Sequence, residues 1–495
     1  MPRRRASSRG LMDTDQNHLS NTGDRKVIAI VPQSAAEDID EPLFEVRKKI
    51  YPRAVSGLFA RWRWGLVIFT QLLFYGLCWL PWNDRQAVLF NIVERKFYIF
   101  GIVFWPQDVF YLAVLLIISA FGLFLFTAVA GRLWCGYACP QTVYTEIFLW
   151  VERVFEGDRV ARMKLDAASM GAEKAARKGG KILTWALLSV WTGFTFVGYF
   201  TPIRDLWDEI WRFALGPWEG FWLIFYSGFT YMNAGHMREQ VCKYMCPYAR
   251  FQGVMFDPDT LVITYDAERG EARGARKKGI DPRSVGKGDC VDCHICVQVC
   301  PTGIDIRDGL QYECIGCAAC IDACDQVMEK MNYPKGLIRY STENAVSQRW
   351  GWHEIMHHVA RPRVLIYSAI LGAVTCAFLF GVMTKSPLKV NVMRDRGVAG
   401  REVEGGLIEN VYRLQVMNVG EHYQFYSVKV SGLKGIELAS DNVIELAAES
   451  SHIFTMRVRV PPEGGKAGAN PIRFEIESLL GDAQASEKAT FLIPR

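Results

Sequence analysis

Cys290-Val-Asp-Cys293-His-Ile-Cys296-Val-Gln-Val-Cys300-Pro301 and Cys314-Ile-Gly-Cys317-Ala-Ala-Cys320-Ile-Asp-Ala-Cys324-Asp325 are the stretches on which the reading of this chain turns. Each is a C-x2-C-x2-C-x3-C run. Three thiolates at a spacing of three wrap a cubane, and in two-cluster ferredoxins the fourth cysteine of each run ligates the other cluster. The pattern predicts two [4Fe-4S] clusters, one on Cys290, Cys293, Cys296 and Cys324, the other on Cys314, Cys317, Cys320 and Cys300. Structural zinc also uses C-x2-C pairs, but it takes four ligands in two spaced pairs rather than two quartets. The second run ends on Asp325 where a proline is usual, which removes no ligand. Cys290 to His294 also spells the C-x-x-C-H of c-type haem attachment, yet the quartet already needs both cysteines, so His294 reads as a bystander.

Of the 14 cysteines, none follows Cys376, and such bunching argues for metal ligation rather than a disulfide framework. Four of those outside the quartets form two matching motifs, Cys135-Gly-Tyr-Ala-Cys139-Pro140 and Cys242-Lys-Tyr-Met-Cys246-Pro247. An i, i+4 spacing predicts both thiols of a pair on one helix face, with the proline breaking the chain away. Four thiolates there suit a further iron–sulfur cluster, a soft ion such as Cu(I), or a redox disulfide; small buried packing residues are the plain alternative. Met232, His236, Met237, Met245 and Met255 surround the second pair. Met237 and Met245 are candidate copper ligands, against the commoner role of methionine as packing filler.

The composition says where these thiols live. Hydrophobic residues make up 50% of the 495, although 22% are charged and the net charge is +5; mean hydropathy is +0.06. Such averages require long apolar runs segregated from charge, which excludes a disordered chain, a disulfide mini-scaffold and an ordinary soluble enzyme. A spanning helix needs about 20 mostly apolar residues. Five segments qualify: Trp64 to Trp82, Val109 to Ala130, Ile182 to Pro202, Phe213 to Gly235 (interrupted by Glu219) and Val364 to Thr384. The run Phe97 to Trp105 is too short to span and reads as lying at the surface. Lys and Arg crowd before the first span, from Arg47 to Arg63, and between the second and third, from Arg132 to Lys178. That bias predicts an inside amino terminus and an outside carboxy terminus, with quartets and C-x3-C-P pairs all on the cytoplasmic side. No apolar stretch of signal-peptide length follows Arg3, Arg4 and Arg5, so neither a cleaved signal nor twin-arginine export is expected, and the first segment reads as a solvated tail.

After Lys385 the pattern turns to alternating runs, Val411 to Asn418, Phe425 to Val430 and Phe454 to Val460 among them. About seven such strands predict a β-sandwich, here without cysteine. His353-Glu354-Ile-Met-His357 matches the zinc-protease H-E-x-x-H, but beyond the adjacent His358 no third ligand is recognisable, and an interfacial helix is the better reading. Cys78 and Cys376, inside the first and fifth spans, read as small buried residues rather than a metal relay. No dinucleotide-binding or P-loop glycine motif is found, so an electron donor must be another protein or a small reductant. Nothing points to nucleic acid.

Arg132-Leu-Trp-Cys-Gly-Tyr-Ala-Cys-Pro-Gln141, Cys246-Pro-Tyr-Ala-Arg-Phe-Gln-Gly253 and Tyr312-Glu-Cys-Ile-Gly-Cys317 carry a resemblance to the cytochrome c oxidase accessory family CcoG, also called FixG or RdxA, over roughly residues 45 to 495. The expected architecture is a multi-domain membrane protein. It has a cytoplasmic tail (1–63), a four-helix membrane domain with both C-x3-C-P motifs (64–257) and a dicluster bacterial-ferredoxin-like α+β module (258–340). A linker (341–363), a fifth helix (364–384) completing a five-helix transmembrane bundle, and a periplasmic all-β immunoglobulin-like sandwich (385–495) follow. The resemblance implies a bacterial inner-membrane protein that reduces Cu(II) to Cu(I) for assembly of a cbb3-type oxidase, with Cys135, Cys139, Cys242 and Cys246 as the reaction site. Its implied partners are a cytoplasmic electron donor, copper ions, oxidase assembly factors or copper transporters, and the lipid bilayer. A quinol-linked electron-transfer subunit and a non-redox copper-holding scaffold are the alternatives. Cu(II) should reoxidise the clusters of a copper reductase and quinone analogues those of a chain subunit; a scaffold should respond to neither.

Overall fold

A computed structural model describes residues 49–395, 400–403 and 405–494; the tail read over residues 1–63 lies outside the described residues up to residue 48. Among the described residues three helices are long and apolar enough to cross a membrane, Pro106–Ala130, Ala172–Val197 and Pro362–Met383. The first and last turn almost their whole length outward (0% and 6% buried), as lipid-facing helices do. They pair with each other, the Tyr111 hydroxyl donating to the Gly381 carbonyl at 3.0 Å. Ala172–Val197 packs on Pro217–Thr230, where a Cβ at Gly193 would lie 2.8 Å from the Leu223 carbonyl, so a small residue sets the approach.

Two expected spans take other forms. In place of Trp64 to Trp82 there is a 19-residue helix, Leu58–Gly76, and Pro81–Trp82 is already strand. It starts early because the Asp322 carboxylate accepts from the N–H groups of Phe59 and Ala60 at 3.2 and 2.7 Å, satisfying donors that a helix start leaves open. In place of Phe213 to Gly235 there is a 14-residue helix, Pro217–Thr230, continued by a π-helical turn, Tyr231–Met237. Phe213 itself has φ +54° and belongs to the turn before it.

The short run Phe97 to Trp105 is half surface, with Ile99 to Ile102 exposed, and half packed. Its strands, Lys96–Ile99 and Ile102–Phe104, join Val88–Asn91 in a three-stranded antiparallel sheet. Leu89, Tyr98, Val103 and Trp105 from this region pack against Met417 and Val419 of the carboxy-terminal domain. Buried Asp108 holds Lys385 at 2.8 Å and also Lys389, locking the start of that domain to the apolar helix pair.

The carboxy-terminal domain is all β: two antiparallel sheets of five and four strands enclose Tyr412, Leu414, Tyr426, Phe474 and Phe491. Nine strands are described where about seven were expected, because Arg401–Val403 and Glu437–Leu438 are too short for alternation to reveal. In the cysteine-rich module the strands Val262–Tyr265 and Ile338–Ser341 pair antiparallel, and the helix Ala319–Met331 contributes Ile321 and Met328 to a core with Ile263, Ile306 and Leu337.

The decoys resolve simply. Glu354 accepts from the Gly351 N–H at 2.6 Å, capping its own helix Trp352–Val359, and His358 stacks on Trp350 at 4.0 Å. Cys78 is buried, its thiol donating to the Tyr75 carbonyl at 3.4 Å, while Cys376 is exposed rather than buried.

Candidate functional site

The two quartets adopt one loop twice. In the first, Asp292 and His294 flank Cys293 with φ +56° and +53°; in the second, Gly316 and Ala318 flank Cys317 with φ +70° and +57°. Asp and His tolerate that region better than most residues but Ala rarely sits there, so the same left-handed alternation in different residues marks a backbone set by the loop's shared shape rather than by local preference alone. Each loop then enters a helix at its third cysteine, Ile295–Gln298 and Ala319–Met331. His294 carries no ligand role here; its Nδ1 lies 2.8 Å from Arg307.

Burial pushes the Cys324 thiol up to about 12, and its cysteine neighbours are Cys296, Cys290 and Cys293 of the other run. Burial likewise pushes Cys314 up to about 12, next to Cys317 and Cys300, and raises Cys320 well above the usual thiol range, with Cys317, Cys314, Cys300 and also Cys296 of the other run near it. The first quartet reaches solvent through exposed Cys293, whereas the second is enclosed; we call them outer and inner.

The C-x3-C-P pairs are built differently from the single helix face expected. Cys135 lies in the short helix Leu133–Tyr137 and Cys242 in a π-helical turn, Val241–Met245. Cys139 and Cys246 are extended residues capping the next helices, Pro140–Glu156 and Pro247–Met255. Each proline starts a helix at its first position, where its missing N–H costs nothing, instead of carrying the chain away. Cys135 and Cys242 nonetheless pack into one core, and burial pushes the Cys242 thiol up to about 12, with Cys139, Cys135 and Cys246 close enough to act on it by charge. Of the methionines, Met245 is exposed and Met237 half-buried.

Both constellations share one core, in which Cys135, Cys242 and Cys320 pack against buried Cys317, Ile315 and Val299. Glycine makes the contact close. A Cβ on Gly136 would stand 2.8 Å from the Cys317 backbone, and one on Gly316 3.0 Å from the Arg132 carbonyl. Arg132 bolts the loops together, donating to the carbonyls of Ala249 (2.6 Å), Cys314 (3.3 Å) and Tyr312. Buried Gln252 sits 3.5 Å from the Cys135 sulfur. Behind the pairs, Glu152 binds Arg238 at 2.6 Å and Arg162 at 2.8 Å, and Lys181 binds Glu156 at 2.8 Å. Burial alone would raise the Glu152 carboxyl, but Arg238, Arg162 and Lys181 hold it below the usual range. This clamp joins the helix after the first pair to the turn before the second.

Sequence reading assigned no role to Asp322, Gly136, Gln252 or Glu152. The glycine beside a cysteine in both Cys135-Gly136 and Gly316-Cys317 was the available signal for the close approach; nothing local marks the other three.

The donor sets fit iron–sulfur clusters. Eight thiols lie in the two loops, and burial makes those of Cys296, Cys314, Cys317, Cys320 and Cys324 poor thiolates until a cation offsets the desolvation. Among the described residues no three His, Cys, Asp or Glu side chains converge as a single-ion site, while a cubane asks for four thiolates around a larger body.

Family models agree. Residues 237–343 match the family described as a 4Fe-4S dicluster domain, residues 112–156 a 4Fe-4S binding domain, and residues 378–494 the "IG-like fold at C-terminal of FixG". Nitrogen fixation protein FixG of Rhizobium meliloti is 39% identical over 79% of this chain and 81% of its own. Protein RdxB of Cereibacter sphaeroides is 36% identical over 90% and 95%. A crystal structure of a FixG-related protein from Vibrio parahaemolyticus covers 22% of this chain and 97% of its own, at 21% identity and a TM-score of 0.21. Spanning most of both relatives and carrying both kinds of iron–sulfur match, the chain belongs to the FixG/RdxA family and is an iron–sulfur electron-transfer protein.

Proposed function

We propose that the protein is a cupric reductase of the bacterial inner membrane, serving assembly of a cbb3-type cytochrome oxidase. The observation that carries this reading is the packing of Cys135 and Cys242 directly against the inner quartet. When bound, [4Fe-4S] clusters supply one-electron storage and transfer. The chain's own residues do the rest. Quartet thiols ligate, exposed Cys293 marks the face toward a soluble one-electron donor, and Cys135, Cys139, Cys242 and Cys246 form a soft-donor group. Such donors favour Cu(I) over Cu(II), so Cu(II), as substrate, takes one electron and leaves as Cu(I). The 4Fe-4S binding match across Cys135 and Cys139 supports iron–sulfur ligation at these thiols as well.

In this reading five helices span the membrane, the cysteine-rich side faces the cytoplasm and the β-domain the periplasm. The domain limits are those read from the sequence, and the partners are a cytoplasmic donor and oxidase assembly factors or copper transporters. A second reading, exchange with quinone, is favoured by one feature. An apolar groove of about 890 Å3, lined by Phe59, Trp62, Trp134 and Trp352, runs beside Tyr137 and Tyr340, and the Tyr340 hydroxyl donates to the Gly316 carbonyl at 2.7 Å.

The test is anaerobic. The protein is reduced with limiting dithionite, stoichiometric Cu(II) is added, and cluster reoxidation is followed beside Cu(I) captured by a chelator. One Cu(I) per electron lost is expected; clusters that stay reduced with Cu(II) but are reoxidised by a quinone analogue would transfer the assignment to quinone chemistry.

A further inference from the structure

Arg63 is an anomaly that the site as described leaves unexplained. It lies in the helix Leu58–Gly76 with 7% of its surface exposed. Among the described residues its guanidinium makes no hydrogen bond or ion pair, and Nε is enclosed without a partner. A buried, permanently charged guanidinium needs negative charge opposite it; the carboxylates of Glu146 and Glu239 line the same cavity, but among the described residues neither is hydrogen-bonded to Arg63, which leaves place for a further anionic partner. Glu146, which lies nearby, is already engaged by Arg153 at 3.3 Å.

The position of Arg63 names that partner. Asp322, between Cys320 and Cys324, holds the helix start through the N–H groups of Phe59 and Ala60, which sets Arg63 one turn further along against the inner quartet. Arg63, Cys317 and Cys242 line one small cavity of about 30 Å3, with Glu146, Glu239 and Arg238 among its other walls. A space of that size holds about one water molecule. It lies between a thiol of the inner quartet and a thiol of the C-x3-C-P group.

We propose that Arg63 is the counter-cation of the inner quartet and sets the reduction potential of the cluster bound by Cys300, Cys314, Cys317 and Cys320. This inference rests on the iron–sulfur reading of the quartets. Four thiolates bring more negative charge than a cubane's irons cancel, and adding an electron deepens it. A fixed cation in a dry site therefore favours the reduced state and raises the potential. The outer quartet has its own cation, Arg307, which is bound to Asp305 and Asp292 at 2.6 Å each, so its charge is already spent. The unequal treatment biases an electron toward the inner site, beside Cys135 and Cys242. Arg63 is a positioning residue in this scheme, acting through charge and touching no substrate.

The test is an EPR-monitored redox titration of the full-length protein in detergent, without copper, so that it is independent of the cupric-reductase reading. The outer signal is identified by its change in Cys293→Ser. For Arg63→Met the inner midpoint should fall enough to shift the electron distribution between the two sites at least tenfold, about 59 mV for a one-electron couple, with the outer midpoint unmoved. Arg63→Lys, which keeps the charge, should restore most of the difference and covers the case in which the Met variant fails to assemble. Unchanged midpoints in Arg63→Met, an equal fall at both sites, or an Arg63→Lys protein that falls at least tenfold would each overturn the proposal.

Discussion

In the quartets, residues 290–296 and 314–320 each gather three thiols within a single loop, whose left-handed turns at Asp292 and His294 recur at Gly316 and Ala318. Cys135 and Cys242 meet from distant parts of the chain, and only because Arg132, Gly136 and the Glu152 ion cluster bring two helix starts together. The first kind of site is encoded by spacing; the second is assembled by the fold. Damage to the scaffold should therefore strip the assembled site while sparing the local ones, and the variants below are ranked by how hard they press that distinction.

Glu152→Gln is the most disruptive. It leaves buried Arg162 and Arg238 facing a neutral amide, and breaking a buried pair costs roughly 3–5 kcal/mol. The melting temperature should drop by several degrees, with the C-x3-C-P thiols becoming open to alkylation while quartet absorbance persists in the folded fraction. Because the Glu152 carboxyl sits below its usual range when folded, its contribution is complete above the unfolded value of about 4.3 and is lost as pH falls through the lower native one. Melting scans between about pH 6 and 8 should show no change from this group.

Gly136→Ala comes next. Its Cβ would meet backbone atoms of Cys317 at 2.8 Å, and overpacking of this kind costs about 1–3 kcal/mol. Iron content should stay near the parent's while copper-driven reoxidation slows; an unaltered rate would mean that the close approach is immaterial. Arg132→Lys loses the fork that reaches three carbonyls and should cost about 1.5–3 kcal/mol in thermal unfolding. The smallest effect belongs to Gln252→Leu. Removal of one weak contact to the Cys135 sulfur should change stability by less than about 1.5 kcal/mol, while alkylation at Cys135 changes measurably in rate.

Much of this was legible beforehand. Ligand spacing is written in the chain, so the dicluster character of residues 237–343 could be read directly from the two quartets. Continuous apolar runs such as Val109–Ala130 likewise report their length. What escaped was set by long-range contact. The helix Leu58–Gly76 starts where Asp322 caps it, far away in sequence, and Tyr98, Val103 and Trp105 are buried because Met417 and Val419 cover them. The C-x3-C-P geometry was misread for a local reason: i, i+4 spacing suggested one helix, but a proline after the second cysteine serves better as the first residue of a new helix than as a terminator. Asp322 and Arg63 had no signature at all, since a carboxylate or a guanidinium in a loop or at a helix start is ordinarily solvated.

The central claim is that the assembled thiols are the outlet of the local ones. The most direct measurement is anaerobic stopped-flow of the dithionite-reduced protein against Cu(II), comparing the parent with Cys242→Ala. The account predicts that Cys242→Ala keeps both quartet EPR signals and the parent's quartet absorbance, yet is reoxidised far more slowly. Reoxidation at the parent rate, with one Cu(I) formed per electron, would show that electrons leave by another route and would contradict it.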